Sequence, residues 1–266
     1  MAEFDTALPA PSDREAVRQG ASLRYSVVLP VFNEGANIRA FCESARAHFP
    51  PGYELLVCYD RDEDDTLPAL AAIPAELLPE PVRLIKNDIG PGVRYAIEAG
   101  MQAARAPVVV VTMADLCDDP RGVERLVKLV EAGADVACAS RYARGGAQLG
   151  GPWLKKQLSR AAGLTLHYLA GLPTRDPTNS FKAYRKAFLD RTRIESTAGF
   201  SLGIELTVKA HLSGGVVAEV PSTWRARVAG QSRFRLAKWL PQYLRWYALA
   251  FRGRMRSRSS SGARSD

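Results

Sequence analysis

"YSVVLPVFNEGANIRAFCESARAHF", residues 25–49, changes rhythm part-way along. Tyr25 to Phe32 is a continuous, largely β-branched apolar run, as a strand buried on both faces is. From Asn33 the apolar positions Ile38, Phe41, Cys42 and Ala45 recur at three- and four-residue spacing, which is one face of a helix.

The same alternation continues downstream. "ELLVCYD" (54–60), "VRLIKN" (82–87), "PVVVVTMAD" (107–115) and "DVACASRY" (135–142) are short apolar runs, separated by helical stretches around 66–78, 92–104 and 121–132. The pattern predicts an α/β fold with a mostly parallel central sheet and helices on both faces. Ligands of such sheets lie beyond the strand carboxyl ends. Those ends read "PVFNE", "YDRDEDD", "KNDIGPG", "MADLCDD" and "SRYARGG", every one of them charged or Gly-rich. One such cluster alone is equally a turn with a helix N-cap; five in register line a single crevice. After 150 the alternation loosens. A long helix is expected over 151–172, with Leu154, Leu158, Ala161 and Thr165 on one side. "DPTNSFKAYRKAFL" follows, then a helix near 201–213 and a last strand in "VVAEVPSTWRAR". There is no internal repeat and no linker that divides the chain.

Composition narrows the class. The chain has 266 residues, is 47% hydrophobic and carries a net charge of +8. Its end, "RGRMRSRSSSGARSD" (252–266), holds five Arg and one Asp, so the rest is only mildly basic and no nucleic acid is expected as partner. Cys42, Cys58, Cys117 and Cys138 form no CxxC pair, and two lie in apolar runs, as reduced thiols do in a cytoplasmic protein. No apolar run approaches the roughly 18 residues of a membrane span. The expected layout is a polar lead-in (1–23), a catalytic domain (24–233), an amphipathic helix (234–251) and a basic tail (252–266). Nothing in the sequence bears on oligomeric state.

Several chemistries are excluded. "GPGVRY" (90–95) lacks the third glycine of a dinucleotide fingerprint, "GGAQLGG" is followed by no GK[ST], and His48, His167 and His211 are scattered. Carboxylates and arginines remain. Oxygen ligands at a strand end suit Mg²⁺ or Mn²⁺, which complete their shell with phosphate oxygens and water.

At this point the ordered set "VVLPVFNEGANI", "ELLVCYDRDEDDT", "MADLCDDP", "ASRYARGG", "LSRAAGL", "GLPTRDPTNSFKAYRK" and "GIELTVKA…EVPSTWRAR…GQSRF" resembles the family 2 glycosyltransferases, over roughly 25–235. Within them it is most similar to the dolichyl-phosphate mannose synthase-like branch. The resemblance implies a GT-A fold and metal-assisted transfer, with inversion, of a hexose from a GDP- or UDP-sugar to a polyprenyl phosphate. It implies Pro30, Asn33, Glu34, Asp60, Asp64, Asn87, Gly90, Gly92, Ala114 and Asp115 on the donor nucleotide. Tyr59 and Arg61 depart from the family's D-D-G-S-x-D segment, which puts base recognition in doubt. Asp115 keeps the position of the metal-binding acid in D-A-D-L-Q. Met113 replaces the first acid, so Cys117, Asp118 and Asp119 are candidate companion ligands. Asp115 and Arg141 are the expected catalytic residues. Arg141, Lys155, Ser159 and Arg227 match positions that hold the lipid phosphate in this branch.

Two rival readings stay open on the sequence: transfer to a hydroxyl acceptor, for which Asp176 is a candidate base unless it anchors its turn by capping backbone N–H groups, and an inactive nucleotide-sugar or membrane-binding homologue, motivated by Met113 and Cys117. "FRLAKWLPQYLRWYALAF" (234–251) interleaves Trp239, Tyr243, Trp246, Tyr247 and Phe251 with Lys238 and Arg245, which suits a headgroup boundary as well as a helix packed on the domain. With the basic tail it predicts peripheral attachment to the cytoplasmic face of a membrane.

Overall fold

A computed structural model of the chain describes residues 23–79, 81–197, 199–226 and 240–252. The lead-in, the basic tail beyond 252, Arg227, and 234–239 of the C-terminal segment lie outside the described residues.

Seven strands form one sheet. In chain order the elements are β1 (Tyr25–Pro30), α1 (Gly35–His48), β2 (Tyr53–Tyr59), α2 (Thr66–Ala71), β3 (Val82–Lys86), α3 (Val93–Ala103), β4 (Val108–Val111), α4 (Gly122–Glu131) and β5 (Val136–Ser140). Then come β6 (Ala147–Leu149), α5 (Trp153–Ala170), β7 (Lys182–Arg185), α6 (Lys186–Arg191), α7 (Ser201–Leu212), β8 (Val217–Pro221), β9 (Thr223–Arg225) and α8 (240–252). The sheet order is β3-β2-β1-β4-β7-β5-β8, parallel except for β7, which runs antiparallel between β4 and β5. β6 and β9 pair separately.

Side-chain alternation sorts the core. Val27, Leu29, Leu55, Val57, Val108 and Val110 pack under α1 and α4, with Ile38, Phe41, Val123 and Leu126. Val28, Leu56, Val109, Val111 and Val136 face the other way, against α3, α6 and α7. Each such aliphatic residue, fully buried, contributes about 1.5–3 kcal/mol, and a sheet covered on both faces explains why its strands read as unbroken apolar runs. All four cysteines are free and buried.

Two expectations need correction, one strand was not anticipated, and the C-terminal segment follows one of its two readings. The stretch 66–78 is not one helix: α2 stops at Ala71 and a 3₁₀ turn, Ala75–Leu77, follows Pro74, whose ring cannot continue it. The last strand is two, β8 and β9, parted at Ser222. The inserted β7 went unread. The C-terminal aromatics turn inward: Trp246 is 1% exposed and donates from Nε1 to Ser196 Oγ at 2.9 Å, while Tyr247 donates to Thr165 Oγ1 at 2.8 Å. A third cluster, Leu166, Ala170, Leu172, Ile204, Val208, Trp246 and Ala250, ties α5, α7 and α8 together. No helix among the described residues is long and apolar enough to cross a membrane.

Candidate active site

The carboxyl ends of β1, β2 and β3 are laced to one another by two aspartates. Asp60, just past β2, accepts from Asn87 Nδ2 at 2.7 Å and from the Gly92 backbone N–H at 2.7 Å. Asn87 also donates to the Gly90 carbonyl at 2.6 Å and accepts from the Ile89 N–H, so the 87–92 loop winds around its side chain. Gly92 has φ 107°, in the left-handed region where a side chain is strained, and α3 starts immediately after it. Asp64 is buried and receives the Asn33 N–H on both oxygens at 3.0 and 3.1 Å, as well as the Thr66 N–H. Asn33 itself sits at φ 52°. The Glu34 N–H donates to Thr66 Oγ1, and its carboxylate accepts from Asn37. Pro30 closes β1 opposite Cys58. Pro30, Asn33, Glu34, Asp60, Asp64, Asn87, Gly90 and Gly92 therefore come together. Asp60 and Asp64 shape the crevice, with their oxygens committed to its loops.

Beyond β4, Asp115 accepts the Cys117 N–H at 3.1 Å. Ala114 is buried, and Leu116 is held at φ 56°, an uncommon conformation for a branched residue. The following stretch pairs with β9: Arg225 N–H donates to Cys117 O, and Asp119 N–H to Thr223 O. Asp119 is taken by Arg121, whose Nε and Nη2 lie 2.9 and 3.0 Å away. Burial opposes ionisation there, but Arg121 outweighs it and keeps the carboxyl below its usual range. Cys117 is buried. No three His, Cys, Asp or Glu side chains converge on a metal position among the described residues. The four-residue ligand set is thus not assembled. Asp119 is held by Arg121, and the Cys117 thiol is turned into the protein.

Asp118 behaves differently. Its Oδ1 is buried and has no hydrogen-bond partner, and the residue lines a cavity of about 120 Å³ with Phe41, Ser44, Thr112 and Phe181. Burial first, then the negative Asp115 nearby, push its carboxyl up to about 7. An under-satisfied acid repelled by a neighbouring acid fits a place where a divalent cation would restore balance. Mg²⁺ needs only one or two protein carboxylates when phosphates are present, so the pair Asp115 and Asp118 suffices chemically.

Past β5 the site turns cationic. Arg141 Nε donates to Asp176 Oδ2 at 2.6 Å, Nη2 to Oδ1 at 2.8 Å, and the Arg141 backbone N–H to Oδ2 at 3.0 Å. The same Nη2 reaches Ser159 Oγ and Thr178 Oγ1 at 3.2 Å each, and these two hydroxyls are 2.8 Å apart. Asp176 is fully buried. Desolvation works against its charge, but Arg141 prevails and holds the carboxyl below the ordinary range. The expectation of Asp176 as a candidate base is corrected: its lone pairs are occupied and it has no access to solvent. Lys182, buried in β7, donates to the carbonyls of Asn179 and Asp176 and fixes the turn that carries them. Ser159 arrives from α5, with Lys155 one turn earlier. α5 lies so close to this turn that a Cβ on Gly163 would stand 2.0 Å from the Arg175 carbonyl oxygen. Arg141 and Ser159 are brought together. Thr178, and the pairing of Asp176 with Arg141, are what sequence reasoning missed, although "RDPTNSFK" carried the signal of a polar turn before an apolar residue.

Comparisons with known proteins bear on this arrangement. The family model Glycosyl transferase family 2 matches residues 26–193. Polyprenol monophosphomannose synthase of Mycolicibacterium smegmatis is 32% identical over 231 residues, covering 81% of this chain and 86% of that protein. Dolichol-phosphate mannosyltransferase of Pyrococcus furiosus is 29% identical over 84% of this chain, which spans 62% of that longer protein. Glucosyl-3-phosphoglycerate synthase from Mycobacterium tuberculosis, crystallised with Mn²⁺, UDP and glucosyl-3-phosphoglycerate, shares the fold: TM-score 0.62 at 20% identity, covering 93% of this chain and 85% of that one. The chain belongs to glycosyl transferase family 2, and its α/β sheet is the GT-A type.

Proposed function

We propose that this family 2 glycosyltransferase moves a hexose, with inversion, from a GDP- or UDP-sugar to a polyprenyl phosphate, peripherally at the cytoplasmic membrane face. The observation that carries the reading is the cluster of Arg141, Ser159 and Thr178 beside the Asp115–Asp118 pair. Its donors suit an oxyanion, and its one carboxylate, Asp176, is saturated. A phosphate acceptor is already ionised and asks for alignment behind the anomeric carbon, with no strong base. A hydroxyl acceptor would need one. The names of the relatives from Mycolicibacterium and Pyrococcus support the same acceptor class.

Asp115 and Asp118 would hold Mg²⁺ or Mn²⁺ on the donor diphosphate, where the ion supplies neutralisation of the leaving charge. The loops pinned by Asp60 and Asp64 would form the walls against which the nucleotide lies. Asp176 holds the Arg141 fork in one orientation, so its remaining donors meet the phosphate pre-aligned. Lys155 and Arg227 would add to the anion field.

A panel of GDP- and UDP-sugars offered with and without undecaprenyl phosphate, in Mg²⁺ or Mn²⁺, tests the proposal. Sugar transfer only in the presence of the lipid phosphate is the expected result. Transfer to a hydroxyl acceptor alone would replace it, and absence of donor turnover under every condition would mark an inactive homologue. Asp115→Ala should reduce turnover at least about a thousandfold and remove its metal dependence, whereas Arg141→Ala should act chiefly on the acceptor KM.

A further inference from the structure

Among the described residues the strongest apolar exposure lies on α5. Trp153 is 71% exposed, Leu154 62%, Leu158 49%, Tyr168 64% and Leu169 58%. At 3.6 residues per turn Leu154, Leu158, Ala161, Tyr168 and Leu169 fall within about 100° of arc. Gly163, Leu166 and Ala170 form the opposite, buried edge. Lys155 and Arg160 stand on either flank of the outward stripe. A helix that buries small residues and displays leucines is inverted with respect to water.

We propose that this face of α5 is a docking surface for an anionic lipid bilayer, lying in the plane of the interface. Three observations favour a bilayer over other occupants. The stripe is bordered by cations, as interfacial helices are. The helix that bears it also supplies Ser159, from its inner edge, to the Arg141 cluster, so a bilayer on the outer stripe would lie about one helix width from that cluster. The chain leaves the described residues at 252, just after α8 has packed on Leu166 and Ala170, and Arg254, Arg256, Arg258 and Arg264 follow in sequence. The inference deepens the proposed function and rests on its acceptor class only for the second point.

Flotation of the full chain with phosphatidylcholine vesicles, with and without phosphatidylglycerol, tests it. Wild type should float with the anionic vesicles and much less with the neutral ones. The double variant Leu154→Ser/Leu158→Ser should lose at least about tenfold in partitioning, while thermal melting and nucleotide-sugar binding stay unchanged. Retained flotation of that variant overturns the proposal. So does a wild-type dimer in solution that the variant dissolves, which would assign the stripe to a second copy. Failure of the proposed acceptor shows separately, as no transfer to polyprenyl phosphate by a protein that still floats.

Discussion

Helices α5 and α8 touch through Thr165 and Tyr247, yet they treat their largest apolar side chains differently, α8 burying Trp246 and α5 exposing Trp153. The aromatic α8 buries Trp246 beneath Lys209 and Arg245, which lie 5.0 and 4.7 Å from its ring. The leucine-bearing α5 turns Leu154 and Leu158 outward. The difference shows that aromatic-plus-basic composition does not by itself mark a helix whose aromatics face away from the protein. Here Trp246 and Tyr247 staple α8 to the catalytic domain, while α5, which reaches the Arg141 cluster, exposes the larger set of apolar side chains.

Substitutions can break this contrast, and the largest effect is expected at Trp246. Trp246→Ala should cost about 3–5 kcal/mol in urea unfolding, through a cavity among Leu166, Ile204 and Val208. A loss below 1 kcal/mol would place α8 off the domain. Next, Asp176→Ala strands a buried guanidinium and should cost about 3 kcal/mol, with a rise in acceptor KM larger than any fall in donor binding. Asp176 is held low, so the pair's contribution is complete above pH about 4 and is lost as pH falls through the depressed carboxyl value. Acid unfolding of the variant should therefore lack that component. Gly163→Ala forces α5 away from the Arg175 carbonyl and should cost about 1–3 kcal/mol, again with a weaker acceptor interaction. Ser196→Ala removes the Trp246 indole partner, a loss of about 1 kcal/mol. Smallest is Trp153→Ala, within about 0.5 kcal/mol in solution, although it should still weaken vesicle flotation.

The same pair of helices explains how much could be read from residues alone. The strands β1 to β5 were legible because burial on both faces leaves unbroken apolar runs, and their polar ends named the crevice. The convergence of Asn33, Asp60, Asp64 and Asn87 followed, as did that of Arg141 with Ser159. In α5, periodicity reports that a helix has an apolar side but not whether that side meets protein. "KAYR" defeated the reading for another reason: a fully buried lysine in β7 looks like a surface residue until the carbonyls of Asn179 and Asp176 are seen around its ammonium. Asp176 lay hidden likewise, since its role depends on an arginine 35 positions earlier. The companion acids of Asp115 failed in part because Asp119 had a cation two residues away, which adjacency in the chain does not reveal as a pairing.

The reversed strand β7 has one further consequence. Neighbouring strands lie about 4.8 Å apart, so one strand slipped between β4 and β5 spaces their ends by about 10 Å. An acidic post stands at one margin and a guanidinium at the other, with the 176–181 turn as the floor between them. That backbone acts as a gauge, setting the gap between the two margins whatever loops later change around it.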